Sequence, residues 1–174
     1  AQWRTTIGGW SEEQADNGYV YLKYKMSDVG KRVIRKIVAA PTWRPPVTTP
    51  INTLVKRKWL NGKAQNVVSY SQLGPGYLSA FGLVAGYFVI PGKNGRADWD
   101  KGIRAHGSFN YMSILSKRGY SHGCHRLQND RAVRLYGFLL DHRKHEVKGE
   151  MEVPFRRTYL YKDEAYEMYL PSQG

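Results

Sequence analysis

Cys124 is the only cysteine in this chain of 174 residues, and it stands in the run Ser121-His122-Gly123-Cys124-His125-Arg126-Leu127. A His-Gly-Ser triplet, His106-Gly107-Ser108, lies upstream, with His106 18 positions before the thiol. A thiol with its ordinary pKa of about 8.5 is mostly protonated at neutral pH; a nearby imidazole can take the proton and make the sulfur a nucleophile. His106 and His122 are both candidates for that base. Gly123, lacking a side chain, can adopt backbone angles that aim consecutive N–H groups at one point, as an oxyanion hole requires. A lone cysteine is more often an inert buried residue, but the polar Ser121, His122 and His125 beside this one argue against an apolar burial site. The same His and Cys side chains could bind zinc. Adjacent Cys124 and His125 are poorly spaced for that, and no metal is expected.

Such residues need a scaffold. With 13 Tyr, 5 Trp, 18 Gly and 8 Pro, the composition favours strands and turns. Val20, Leu22, Tyr24 and Met26 alternate with Tyr19, Tyr21, Lys23 and Lys25, which predicts a half-buried strand. Residues 33–40 read as its hairpin partner, with Ser27-Asp28-Val29-Gly30 as the turn. The Pro-dense stretch 41–46 cannot continue a sheet interior and is expected to cross the surface in extended form. Thr49-Pro50 suits a cap and first helical position, so 51–59 is either a short helix or a strand that turns at Asn61-Gly62. Strands are also expected over 67–73, 87–90, 151–161 and 166–170. The polar, Gly-rich segment 91–102 reads as a loop, placed to act as a lid with Gly92, Gly95 and Gly102 as hinges and Trp99 as a cover. Asn129 can cap a helix over about 129–143, where Ala132, Leu135, Tyr136, Leu139 and Leu140 recur at helical spacing. His142, Arg143, Lys144 and His145 close it with cations where the helix dipole is negative.

A chain of this length fits one domain, 1–174, with enough core to fold without disulfides, which a single thiol cannot form internally. No run of about 18 apolar residues is present, so no transmembrane helix is expected. The net charge of +13 implies attraction to a polyanion: nucleic acid, an acidic membrane, or a bacterial wall with its carboxylates and phosphates. No helix-turn-helix or ribonucleoprotein pattern accompanies the charge, and no specific nucleic acid is expected.

The two His-Gly segments resemble the signature of the L,D-transpeptidase catalytic domain (YkuD-type): a His-Gly-small pair followed by Ser/Thr-His-Gly-Cys-x-Arg/Asn. The likeness spans about residues 30–145, with 81–90 similar to a family strand and 41–46 to a Trp-Pro segment of some members. It implies a mainly β fold, a mixed β-sandwich with one main helix and short helical segments, and no cofactor. By this resemblance Cys124 attacks the donor tetrapeptide of peptidoglycan between the L-centre of the third residue and D-Ala, forming a thioester that an amine resolves. His106 would be the base, its tautomer held by a carbonyl of the Gly107-Ser108 turn. His122, Gly123 and Cys124 would offer N–H groups to the oxyanion and Ser121 would brace the loop. Arg126 would clamp a peptide carboxylate; apart from the resemblance, His125, Trp99 and Tyr120 are candidate substrate contacts of this chain. His125 stands where the family usually has a small aliphatic residue, and the usual Thr-Pro before the Gly-x-Phe strand is missing. L,D-carboxypeptidase or other peptidoglycan hydrolase chemistry is the alternative, and a non-enzymatic wall-binding module the rival class. The expected setting is the periplasm, cell envelope or exterior, and the expected assembly a monomer.

Overall fold

The computed structural model describes residues 2–116, 119, 121–149 and 154–170. In chain order the elements are β1 (Trp10–Gln14), β2 (Val20–Tyr24), β3 (Val33–Ala39), the single turn α1 (Ile51–Leu54), β4 (Val55–Leu60), β5 (Lys63–Val68) and α2 (Tyr70–Leu73). There follow β6 (Val84–Val89), β7 (Arg104–Ser108), α3 (Tyr111–Leu115), β8 (His125–Gln128), α4 (Asn129–His142), β9 (Phe155–Tyr161) and β10 (Glu164–Leu170). The protein is mainly β, as expected. Its central sheet has the order β3-β6-β7-β8, and β7 and β8 run parallel while the other pairs are antiparallel. The remaining strands form the two-stranded ladders β1-β2, β4-β5 and β9-β10.

β6 is buried along most of its length, as a strand covered on both faces must be. Alternation turns Val84 and Gly86 toward α4, where Val84, Leu127, Ala132 and Tyr136 form a core cluster bordered by Ile34, Ile37, Leu135 and Leu139. Burying Val84 or Leu127 there contributes about 1.5–3 kcal/mol each. Gly86 is required by the fit, because a Cβ at that position would lie 2.3 Å from the Tyr136 hydroxyl oxygen. That hydroxyl donates to the Ala105 carbonyl at 2.7 Å, fastening the helix to β7. A second cluster joins Ile51, Leu54, Val55, Leu73, Met168 and Leu170, so the chain's last described strand closes on its first helical turns.

The expected helix over 129–143 is present, but Asn129 does not cap it. Its buried side chain turns back instead, accepting the Leu83 N–H at 2.9 Å and donating to the Tyr77 carbonyl at 3.2 Å. Gly82 and Gly107 make room for it: a Cβ on either would come within 2.2 Å of the Asn129 Oδ1.

The expected pairing of β2 with residues 33–40 is not what forms. β2 pairs with β1, Trp10 opposite Tyr24, and β3 pairs with β6. The segment between β2 and β3 is not folded into a hairpin turn: Lys25 N–H bonds the Gly9 carbonyl, and Asp28 pairs with Arg32 within the segment and with Lys101. Nor is β2 half-buried; Leu22 is 66% exposed, and Val20 and Tyr24 are exposed as well. Residues 51–59 contain both expected alternatives, one turn of helix and then a strand. Asn61 and Gly62, with φ of 51° and 73°, make the hairpin turn. The strand expected over 67–73 ends at Val68 and gives way to α2. Residues 41–46 are extended as expected and run along the surface, with Arg44 and Pro46 exposed while Pro41, Thr42 and Pro45 are buried. Of the strand expected at 151–161, β9 covers all but the start, and 151–153 lie outside the described residues.

Candidate active site

β7 carries His106 at the centre of the mixed sheet, between Ala85 of β6 and Arg126 of β8. The ring is only 2% exposed, and Phe81 meets it edge-on at 5.0 Å. Its Nδ1 lies 2.7 Å from the Gly107 carbonyl oxygen. A carbonyl can only accept, so Nδ1 carries the proton and Nε2 keeps its lone pair. Burial, assisted by the Arg126 charge, brings the imidazole down to about 3, against the pull of its Gly107 hydrogen bond. At neutral pH His106 is therefore uncharged, with Nε2 as the ring's acceptor atom.

Cys124 lies one residue before β8, which the parallel register sets level with Arg104 of β7. Its loop is braced by Ser121, fully buried, whose hydroxyl accepts the Gly123 N–H at 3.1 Å and donates to the Cys124 carbonyl. Gly123 needs its φ of 107°, a conformation that suits glycine. Its N–H is occupied by Ser121, and its carbonyl accepts the Ser27 hydroxyl at 2.8 Å. Burial pushes the Cys124 thiol above its ordinary value, opposed by a hydrogen bond from the Arg104 backbone and by the charges of Arg126 and Arg104. The sulfur sits 3.8 Å from the Gly102 carbonyl oxygen. Thiol and imidazole are thus a neutral pair at rest.

Strand alternation sorts the other expected residues. Leu127 packs toward α4, so Arg126 projects to the opposite face, the one that holds His106. Arg126 lines the cleft with Cys124, and its Nε is buried with no hydrogen-bond partner among the described residues. His122 is at the same cleft, exposed to solvent over part of its surface, and partial desolvation by the cleft wall, then the charges of Arg126 and Lys25, lower its pKa. His125 is on the α4 side, 6.2 Å from the Phe88 ring, and does not line the cleft. Gly107 gives Asn129 its space, and Ser108 is buried, its hydroxyl accepting the Asn110 N–H. Trp99 is 60% exposed and does not line the cleft either. Its backbone pairs with Ile90, and the loop around it is tied down by Asp98 to Arg35 and by Asp100 to Arg104. Only Gly102 of the expected lid borders the sulfur. Tyr120 lies outside the described residues.

The cleft holds about 890 Å³ and has a second wall that sequence reasoning missed, built from Glu13, Lys25, Trp43 and Thr48. Tyr87 and Arg104 were missed on the first wall; the Arg104 guanidinium lies 4.0 Å from the Tyr87 ring centre and grips Asp100 with two bonds. A signal for Arg104 existed, two residues before His106 and hence on the same face of a strand. Glu13 had none. The N-terminal segment was also unassigned: Thr6 bonds Arg126 through the backbone in both directions, and Ser121 exchanges bonds with Ile7 and Gly9. Gly8 and Gly9 allow this, since a Cβ on them would come within 2.1 Å of the Lys25 or Gly119 carbonyl oxygen. Among the described residues no group of three or more His, Cys, Asp and Glu could hold a metal ion.

No curated protein and no solved structure matches the chain. A family model does: the L,D-transpeptidase catalytic domain (YkuD) matches residues 2–148, taking in the thiol, the buried imidazole and the N-terminal wall alike, and the chain belongs to that family.

Proposed function

We propose that the protein is a peptidoglycan L,D-transpeptidase of the cell envelope in which Cys124 is the acylated residue. The observation that carries this reading is a sole thiol and a buried, neutral imidazole with a free Nε2, both on the same cleft. The Cys124 proton passes to His106 as sulfur attacks the carbonyl between the third residue's L-centre and D-Ala. The tetrahedral intermediate collapses, the C–N bond breaks, and His106 returns the proton to the departing D-Ala amine. An acceptor amine then attacks the thioester, loses a proton to His106, and releases Cys124 as the thiol. General-base catalysis of this kind contributes about 10² to 10⁴-fold. Arg126, a half-buried cation whose Nε is buried and unpartnered among the described residues, is suited to hold a peptide carboxylate beside the reacting bond. With the Gly123 N–H engaged by Ser121, oxyanion stabilisation falls to the N–H groups of His122 and Cys124.

Hydrolysis of the same thioester is the second reading, favoured by one feature: Trp99 is exposed and leaves the cleft uncovered on that side. Mass analysis of products from tetrapeptide muropeptides, with and without an added D-amino acid, separates the two. Exchanged or cross-linked products are expected; tripeptides alone, insensitive to added amine, assign the hydrolase. Incubation with a carbapenem should add a single adduct to the intact protein and none to Cys124→Ala. An adduct on that variant overturns the role of the thiol.

A further inference from the structure

The second wall of the cleft contains a charged cluster that the acyl-transfer chemistry does not use. Glu13, on β1, is 3% exposed. Its Oε2 accepts the Tyr21 hydroxyl at 3.1 Å and its Oε1 accepts the Thr48 hydroxyl at 3.1 Å and the Lys25 ammonium. Lys23 approaches at 3.9 Å. Burial by itself would raise the carboxyl's pKa, but these bonds, that from Lys25 foremost, bring it below the ordinary range. Two hydroxyls and one ammonium already satisfy the carboxylate, so two lysines on one glutamate leave an excess positive charge in a partly desolvated place.

Lys25 is the member of this cluster that can reach a ligand. It lines the cleft with Cys124, its side chain is 23% exposed, and Glu13 takes one of the three donors that an ammonium carries. It is also tied to the catalytic loop: Lys25 N–H bonds Gly9, and two residues on, Ser27 holds the Gly123 carbonyl. We propose that the Lys25 ammonium, positioned by Glu13, binds a carboxylate of the donor stem peptide and so selects donors bearing a free acid over those in which it is an amide. This rests on the transpeptidase reading for the identity of the peptide. A ligand amine bound by Glu13 is the opposite polarity, and the geometry disfavours it: the carboxylate oxygens are buried and already occupied by hydroxyl and ammonium donors.

The test measures binding without turnover. Titrate the Cys124→Ala protein calorimetrically with a tetrapeptide donor and with versions amidated at one carboxylate at a time, then repeat with Lys25→Met and Lys25→Arg added. One amide should weaken binding roughly tenfold, the scale of one charge-assisted contact. Lys25→Met should lose the same factor on the free acid and nothing further on that amide, while Lys25→Arg keeps most of it. Equal losses on every peptide, unaltered binding, or no measurable binding of the free acid overturns the proposal. Turnover of the unmodified enzyme is scored separately. Lys25-dependent binding without acyl transfer would refute the transpeptidase reading alone, and acyl transfer with Lys25-independent binding would refute this one alone.

Discussion

The two walls of the cleft are built on opposite terms. The catalytic wall is the mixed sheet backed by α4, where His106, Ser121 and Asn129 are all but completely buried and each side chain has a fixed partner. The N-terminal wall comes from the β1-β2 ladder and residues 42–50, and the outer residues of that ladder, Trp10, Leu22 and Tyr24, are exposed. Proton transfer demands that two groups keep their relation to within a fraction of an ångström, and close packing supplies that. Recognition of a peptide needs charges and aromatic surface at some distance from the reacting bond, and polar networks on a thinner layer suffice.

The sharpest way to break this contrast is at His106, the proposed base. His106→Ala is expected to lower the acylation rate by about 10² to 10⁴-fold at neutral pH, read as adduct formation over time. The loss should shrink as pH rises and the thiol ionises unaided. His125→Ala, with its ring on the α4 side, should change the rate by no more than a few-fold; equal losses in the two variants would place His125 at the chemistry after all.

The packing behind the catalytic wall is tested next by Asn129→Ala, which leaves the Leu83 N–H unpaired in the interior. A stability loss of about 1–3 kcal/mol is expected from urea unfolding. An unchanged midpoint would mean that the Asn129 bonds are not part of what holds β7 in place.

On the N-terminal wall, Trp43→Ala should raise KM several-fold with kcat kept, the signature of binding shared by ground and transition states. A fall in kcat at constant KM would instead make this wall part of the reacting geometry.

The smallest effect expected is none. Because burial and Arg126 hold His106 near 3, the ring stays neutral from there upward and gains no proton on going from pH 7 to pH 5. Acylation by the unaltered protein should therefore show no acid limb near the ordinary imidazole pKa of about 6.5. A limb at that value would mean that burial does not hold the His106 ring neutral.

Much of the catalytic wall was legible because its information is local. The motif at 121–127, His106 at its spacing and the helix at 129–142 are each contained in a short window, and all lie within the family match over residues 2–148. The misreadings fell where local patterns compete. Alternation over 20–26 identified a strand correctly but implied a buried face and the wrong partner, since period-two spacing records neither what covers a strand nor which edge it meets. Asn129 has the composition of a cap, yet the cap position falls on Gln128, and two glycines far away in sequence, Gly82 and Gly107, open a place for the Asn129 amide between β6 and β7.

The sequence by itself determined which groups could react: one thiol, a histidine at family spacing, and a glycine free to take the angle the loop needs. Only the tertiary structure decided which groups share a face. The parallel pairing of β7 with β8 puts His106 and Arg126 side by side and turns His125 away, because each strand residue projects opposite to its neighbour. It also decided the protonation of His106, which depends on how much water the fold removes from around one ring. And it brought Glu13 and Lys25 to the cleft of Cys124 across more than half the chain, a juxtaposition that only folding creates.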